Sequence, residues 1–131
     1  MFAIEQAIQQ KSARDLTGIE RTVLSVLALN REVDNGGFDQ YFFNSSRQFA
    51  PVIVADLVRI GCVELADITQ RALDALNLPD LTVASIEIAL KTESTERTRV
   101  LNRCDIAFYN TGGVYDHLLA YVKAHKDAIR L

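Results

Sequence analysis

Residues 32–45 of the chain read Glu-Val-Asp-Asn-Gly-Gly-Phe-Asp-Gln-Tyr-Phe-Phe-Asn-Ser, which predicts the end of one helix followed directly by a second. The Asn-Gly-Gly triplet tolerates the left-handed backbone conformation that closes many helices, so the first helix is predicted to end there. Phe38, Tyr41 and Phe42 then recur at i, i+3 and i+4, which predicts a short helix with one aromatic face. Asn44 favours the end of that helix.

Helical spacing of apolar residues recurs on both sides of this segment, whereas strict alternation of apolar and polar residues is scarce. Thr17 and Glu20 are placed to form a capping box at the start of the first long helix. The predicted helices span about 18–33, 51–60, 63–76, 83–90, 94–109 and 114 to the C-terminus, and residues 1–14 form a short helix or an arm. The sequence thus predicts an all-α fold of about six to seven helices, in one compact domain over residues 1–131.

Each long predicted helix has one apolar side, and these sides are predicted to form the core. The residues predicted to face inward are Ile19, Val23, Val26 and Leu27; Ile53, Leu57 and Ile60; Leu65, Ile68, Ala72, Ala75 and Leu76; Leu101, Cys104 and Phe108; and Leu118, Leu119, Val122 and Ile129. A chain of about 150 residues buries roughly two thirds of its unfolded surface, so this one is expected to fold without disulfides or metal.

The composition excludes several classes of protein. The chain has 131 residues, of which 49% are hydrophobic, and its net charge is −3, whereas disordered proteins are less hydrophobic and more highly charged. No segment approaches the roughly 18–20 consecutive apolar residues that span a bilayer. The N-terminus lacks the basic start of a secretory signal, so we expect a cytoplasmic protein that does not bind membranes.

The sequence contains no motif typical of catalysis or of metal binding. Cys62 and Cys104 belong to no Cys-x-x-Cys motif and are expected to be buried, reduced thiols. His117 and His125 lie eight residues apart without a Glu-x-x-His or His-Glu-x-x-His pattern, and are expected on the surface. We find no motif of an activated nucleophile or of a phosphate-binding loop, and we therefore expect a non-enzymatic protein without metal or cofactor.

Charge is unevenly distributed along the chain. Residues 61–90 carry one arginine against five carboxylates, a balance of −4, and basic residues elsewhere are too dispersed for direct binding of nucleic acid. The five carboxylates belong to Glu64, Asp67, Asp74, Asp80 and Glu87. The first three fall within about 80° of one another on a predicted helix and span roughly 15 Å. They form either a face for a basic partner or an ordinary solvated surface, and Arg71 is expected to pair with Asp67.

Residues 32–45 admit two interpretations. In the first, the aromatic side chains fill the core, the Asn-Gly-Gly triplet forms the turn, and the final Asn-Ser pair ends a helix. In the second, Glu32, Asn35, Gln40 and Asn44 line a polar pocket for a small ligand or a substrate.

The same segment resembles the signature Glu-x-x-Asn-Gly-Gly-Phe-x-Gln-Tyr-Phe-x-Asn-Ser of a bacterial family of small helical proteins that is named after a DNA-mimic protein. The matching residues are Glu32, Asn35, Gly36, Gly37, Phe38, Gln40, Tyr41, Phe42, Asn44 and Ser45. The resemblance covers residues 20–130 and includes Gly61, Leu101, Asp105, Phe108, Tyr109, Tyr121 and Val122. It departs at Arg47, close to which the family pattern has a glycine.

The resemblance implies an all-α fold, a homodimer and the absence of catalytic residues. In the namesake of the family, an acidic surface occupies the DNA-binding site of a repressor; the net charge of −3 is small for such mimicry. Our leading interpretation is a non-enzymatic protein whose acidic face engages a basic, DNA-binding protein partner. The alternatives are a small-ligand binder or enzyme that uses the polar pocket, and an immunity-type protein that neutralises a basic toxin.

Overall fold

The computed structural model describes residues 2–9 and 16–129, and within these ranges the chain is helical and has no strand. The α-helices are α1 (Phe2–Gln9), α2 (Gly18–Phe43), α3 (Ile53–Arg59), α4 (Val63–Asp74), α5 (Val83–Leu90), α6 (Thr95–Asn110) and α7 (Tyr115–Ala124). Two 3₁₀-helices, Ser45–Phe49 and Lys126–Ala128, follow α2 and α7. The predicted all-α fold is confirmed. None of the helices in the described part is long and apolar enough to cross a membrane.

The central element is α2, which packs against α1, α3, α5, α6 and α7. It begins with the predicted capping box, since the Thr17 hydroxyl accepts from the Glu20 amide at 3.1 Å and the Glu20 carboxylate accepts from the Thr17 amide at 3.0 Å. Gly37 is the only residue inside α2 with a non-helical backbone, with φ 80° and ψ −177°. The two predicted helices are therefore the two halves of α2, separated by one residue.

The direction of α2 changes sharply at Gly37. The side-chain amide of Asn44 donates to Glu32 Oε2 at 2.9 Å. In an unbroken helix, residues 12 positions apart are separated by about 18 Å along the axis, too far for this bond. The second half of α2 must therefore bend back towards the first, and we refer to this bend as the kink.

The kink directs the aromatic side chains into the core. Phe38, Tyr41 and Phe42 are completely buried, and the Phe38 ring meets that of Phe108 edge-on at 6.0 Å. Within the described part of the chain the Tyr41 hydroxyl has no hydrogen-bond partner, and burial, followed by the charge of Asp56, raises the pKa of this phenol. The interpretation of these rings as core residues is confirmed.

The pairs α3–α4 and α4–α6 extend the core, and the predicted inward residues of these helices are buried or half-buried. The prediction was wrong for Leu119, which is 43% exposed because it projects about 100° away from the buried Leu118. It was also wrong for the end of α7, which stops at Ala124; residues 123–127 are all exposed, so no packing holds a longer helix. The 3₁₀-helix at Ser45–Phe49 was not predicted.

The predicted element within residues 1–14 is the helix α1, while residue 1 and residues 10–15 lie outside the described part. The boundaries of α5 agree with the prediction, and α6 begins after Ser94, whose hydroxyl accepts from the Arg97 amide at 3.2 Å.

Candidate functional site

The kink is closed by two side chains of α6. A break in a helix leaves backbone amides after it and carbonyls before it without helical partners. Asp105 Oδ1 accepts a hydrogen bond from the Phe38 amide at 2.8 Å, and the Tyr109 hydroxyl donates to the Val33 carbonyl at 2.8 Å. Asp105 and Tyr109 lie one turn apart on α6, so a single face of that helix serves both sides of the break.

The two glycines of the signature are required for different reasons. Gly37 has a positive φ, and a Cβ at this position would collide with Asp105 Oδ2. Gly36 has no such backbone requirement, but a Cβ there would overlap Oε1 of Gln40 and lie 2.8 Å from its Cδ. The first glycine makes room for a side chain of α2, whereas the second permits the kink.

The amide residues of the signature bridge the two halves of α2. Gln40 Nε2 and Asn44 Nδ2 both donate to Glu32 Oε2, at 2.7 and 2.9 Å. Asn35 does not join them, because it is exposed and lines a different cleft, of about 400 Å³. Glu32 and Ser45 line a cleft of about 390 Å³. The single polar pocket predicted for all four side chains is therefore not formed, since two of the amides are engaged in the bridge.

The acidic residues predicted on α4 lie together on its exposed side. Glu64, Asp67 and Asp74 are exposed, and Asp74 and Asp80 line one groove of about 410 Å³ between α4 and the segment that connects it to α5. None of these four carboxylates forms an ion pair within the described residues. We call Glu64, Asp67, Asp74 and Asp80 the acidic ridge.

The predicted salt bridge between Asp67 and Arg71 is not formed. Arg71 instead acts on Cys104 of α6, where its charge opposes the rise in pKa that burial causes in this thiol. Asp67 and Arg71 are both exposed on α4, and no ion pair joins them. The charge of Asp67 is therefore not neutralised by this arginine.

Asp80 and Glu87 differ in their surroundings. Asp80 accepts hydrogen bonds from the Ser85 hydroxyl at 2.6 Å and the Thr82 hydroxyl at 2.9 Å, and these bonds lower the pKa of its carboxyl. Glu87 lies 3.6 Å from Arg47 in a salt bridge. The arginine that departs from the family signature thus compensates the charge of one carboxylate of the predicted acidic face.

A second group of carboxylates surrounds the kink. Burial raises the pKa of Asp105, the bond from the Phe38 amide lowers it, and the charge of Asp39 raises it again. Burial also raises the pKa of Tyr109, followed by the charges of Asp105 and Asp34. We call Asp34, Asp39 and Asp105 the kink carboxylates.

Sequence reasoning did not select the kink carboxylates as a group. Asp34 and Asp39 lie within residues 32–45, but each is an ordinary surface residue when considered alone. Asp105 appeared only through the family resemblance. What assembles the three is the packing of α6 against α2, for which local periodicity gives no signal.

The cysteines and histidines belong to no metal site in the described part of the chain, where no group of three His, Cys, Asp or Glu side chains could hold a metal ion. Cys62 and Cys104 are free and buried, as predicted, and burial raises the pKa of both thiols. His117 and His125 are exposed, and His125 Nδ1 lies 2.9 Å from the Tyr121 carbonyl.

A family model described as "DMP19-like protein" matches residues 14–125 of the chain. The resemblance inferred from the signature is therefore confirmed. No curated protein and no solved structure matched the chain.

Proposed function

The chain belongs to the DMP19-like protein family, a DNA-mimic-like family, and from this premise we propose that it is a non-enzymatic protein whose acidic ridge binds a basic, DNA-binding protein partner. The observation that carries the proposal is the ridge itself, whose four exposed carboxylates on α4 and in the segment after it form no ion pair with any described residue.

The ridge has the rigidity that a mimic of DNA needs. Behind its carboxylates, Leu65, Ile68 and Ala72 anchor α4 in the core. Glu64 and Asp74 are separated by about 15 Å along the helix axis, at about 1.5 Å per residue. Carboxylates held on a fixed scaffold attract lysine and arginine side chains without the loss of freedom that a mobile tail would suffer on binding.

The negative charge of the chain is concentrated in the part of the sequence that contains the ridge. Residues 61–90 carry a balance of −4, whereas residues 91–131, with seven basic and five acidic side chains, carry +2. The excess of negative charge is therefore concentrated in residues 61–90, which carry the ridge, although the net charge of the chain is only −3. The field of these carboxylates acts over about 8 Å at physiological salt, so it steers a basic partner at close range.

We also propose that the protein is a homodimer and that it is located in the cytoplasm. The family resemblance implies a homodimer, which sedimentation equilibrium checks directly. The free thiols of Cys62 and Cys104 accord with a reducing compartment such as the cytoplasm.

The test is capture of partners from a lysate of the source organism, with the full chain as bait. The unmodified chain is compared with a ridge variant that carries Glu64→Lys, Asp67→Lys and Asp74→Lys together. A matched control reverses three exposed carboxylates outside the ridge, with Glu93→Lys, Asp116→Lys and Asp127→Lys. The ridge variant should lose the partner, whereas the control variant should keep it, although both change the net charge equally.

Two further readouts are expected if the captured protein is a DNA-binding protein. Duplex DNA should compete with the bait for it, and binding should weaken about tenfold or more between about 50 and 200 mM salt. A partner that binds the ridge variant as well as the unmodified chain would refute the proposal. Capture of a basic toxin through the ridge would refute the DNA-binding identity of the partner and favour an immunity-type role.

A further inference from the structure

A cleft of about 190 Å³, distinct from those described above, lies between α2, the end of α6 and the start of α7, on the side of the kink. Its walls include Asn30, Asp34, Tyr109, Gly113 and Tyr115. We propose that this cleft binds a guanidinium group, the end of an arginine side chain that the protein partner inserts. That the arginine comes from a protein partner rests on the proposed function, whereas the binding of guanidinium does not.

A buried acceptor without a partner marks the floor of the cleft. Asn30 is 1% exposed, its Nδ2 donates to Asp34 Oδ2 at 3.2 Å, and its Oδ1 has no hydrogen-bond partner among the described residues. A Cβ built on Gly113 would lie 3.1 Å from this Oδ1. The unpaired acceptor therefore faces the space that the missing side chain of Gly113 leaves in the wall of the cleft.

Two of the donors around the cleft are already used within the protein. The Gly113 amide donates to Thr111 Oγ1 at 3.3 Å, and the Tyr109 hydroxyl donates to the Val33 carbonyl at 2.8 Å. The acceptors at the cleft are the carboxylate of Asp34 and the Oδ1 of Asn30. A site with acceptors and few donors selects a ligand that is rich in donors and positively charged.

The shape and the aromatic walls favour guanidinium over ammonium. Tyr109 and Tyr115, which are 50% and 52% exposed, both line the cleft. A guanidinium is planar, has five N–H donors and stacks on aromatic rings, whereas an ammonium is a compact point charge. The charges of Asp105 and Asp34, after burial, raise the pKa of Tyr109, which shows that this ring lies in the negative field of the kink carboxylates.

The neighbouring cleft of about 400 Å³ provides a path for the aliphatic part of the arginine. It shares Asp34 and Tyr115 with the cleft of about 190 Å³ and is also lined by Leu27. Arg31 borders it as well, and its guanidinium is paired at 2.5 Å with Glu5, which lines the same cleft, so this arginine is already neutralised. A side chain that enters here passes Leu27 and the Tyr115 ring before its charged end reaches Asp34.

The experiment is an NMR titration of the full chain with N-acetyl-arginine N-methylamide. The matched probes are the corresponding citrulline derivative, which is neutral and similar in shape, and the lysine derivative. The arginine probe should give saturable shifts of the Tyr109 and Tyr115 rings and of the Asn30 side-chain amide. The citrulline and lysine probes should bind about tenfold more weakly. Equal shifts with either control probe would overturn the assignment of the cleft to guanidinium.

A pair of variants removes the same charge from two places. Asp34→Asn should weaken binding of the arginine probe about tenfold, because it removes the carboxylate at the cleft. Asp39→Asn, which changes an exposed carboxylate that does not line the cleft, should change it less than about twofold. Equal losses in the two variants would mean general attraction to negative charge, and would also overturn the proposal.

Capture experiments separate this proposal from the proposed function. If the ridge variants lose the partner while Asp34→Asn keeps it and the probe fails to bind, the cleft is not an arginine site and the proposed function stands. If the probe binds at Tyr115 but no basic partner is captured, the proposed function fails and the guanidinium site stands.

Discussion

The carboxylate of Asp105 accepts a hydrogen bond from the backbone amide of Phe38 at 2.8 Å, across 67 residues of chain. Phe38 follows the kink at Gly37, so the first amide of the second half of α2 is capped by a residue of another helix. The angle at which the aromatic rings enter the core is thereby fixed by α6. Asp105, which lies outside residues 32–45, thus supplies the cap for the helical half that carries the aromatic side chains.

This cap should have a measurable effect on the free energy of unfolding. Asp105→Ala removes the acceptor and leaves the Phe38 amide unpaired, whereas Asp105→Asn removes the charge and retains an oxygen acceptor. We expect the alanine variant to be about 1 kcal/mol less stable than the asparagine variant in urea unfolding. Equal stabilities would mean that the hydrogen bond does not support the kink.

The stability contributed by Asp105 should decrease as the pH rises. Burial raises its pKa above the ordinary value of 3.8, the bond from Phe38 lowers it, and Asp39 raises it again, with a net increase. Because the folded-state pKa is the higher one, the contribution is fully present below the unfolded pKa and is lost as the pH rises through the folded pKa. Urea unfolding from acid to neutral pH should therefore show the stability of the unmodified protein relative to Asp105→Asn falling. A constant or rising difference would contradict the shift.

The local features of the fold could be predicted because their causes are local. The boundaries of α5 and the start of α4 follow from apolar periodicity, and the capping box of Thr17 and Glu20 needs only a spacing of three residues. The interruption of α2 was expected at the Asn-Gly-Gly triplet, because glycine tolerates a positive φ. These predictions require no knowledge of the tertiary structure.

The arrangement around the kink could not be predicted because it depends on contacts that are distant in sequence. Once α2 bends at Gly37, the Asn44 amide reaches Glu32, and the side chains that had suggested a pocket form a bridge. The positions of Asp105 and Tyr109 depend on the packing of α6 against α2, which periodicity does not specify. The acidic residues of α4 were placed correctly because helical spacing alone determines their side of the helix.

Two phenylalanines of the same segment should differ strongly in their importance for stability. Phe38 is completely buried against Phe108, whereas Phe43 is 73% exposed. Phe38→Ala should lower the free energy of unfolding by about 3–5 kcal/mol through lost burial and the cavity left behind. Phe43→Ala should change it by less than about 0.5 kcal/mol. Thermal and urea unfolding of the two variants checks the contrast, and a large loss at Phe43 would mean that this ring is covered by a partner or a second copy.

The two cysteines should be unreactive in the folded protein. Cys62 and Cys104 are buried, and burial raises the pKa of both thiols, so the reactive thiolate is scarce at neutral pH. Iodoacetamide should modify neither residue appreciably under native conditions and should modify both in urea. Mass spectrometry of the intact chain over time measures the extent of labelling. Rapid labelling of either cysteine without denaturant would show that its helix opens readily.

The adjacent glycines of the signature should respond differently to the same substitution. Gly37→Ala places a side chain at φ 80° and ψ −177°, a conformation that is almost confined to glycine, and pushes the Asp105 carboxylate away from Phe38. We expect a loss of at least about 2 kcal/mol in the free energy of unfolding. Gly36→Ala improves helix propensity by about 1 kcal/mol but displaces Gln40 from Glu32 at a similar cost, so its stability should be nearly unchanged. Urea unfolding of the two variants distinguishes a backbone requirement at Gly37 from a side-chain requirement at Gly36, and equal losses would contradict that distinction.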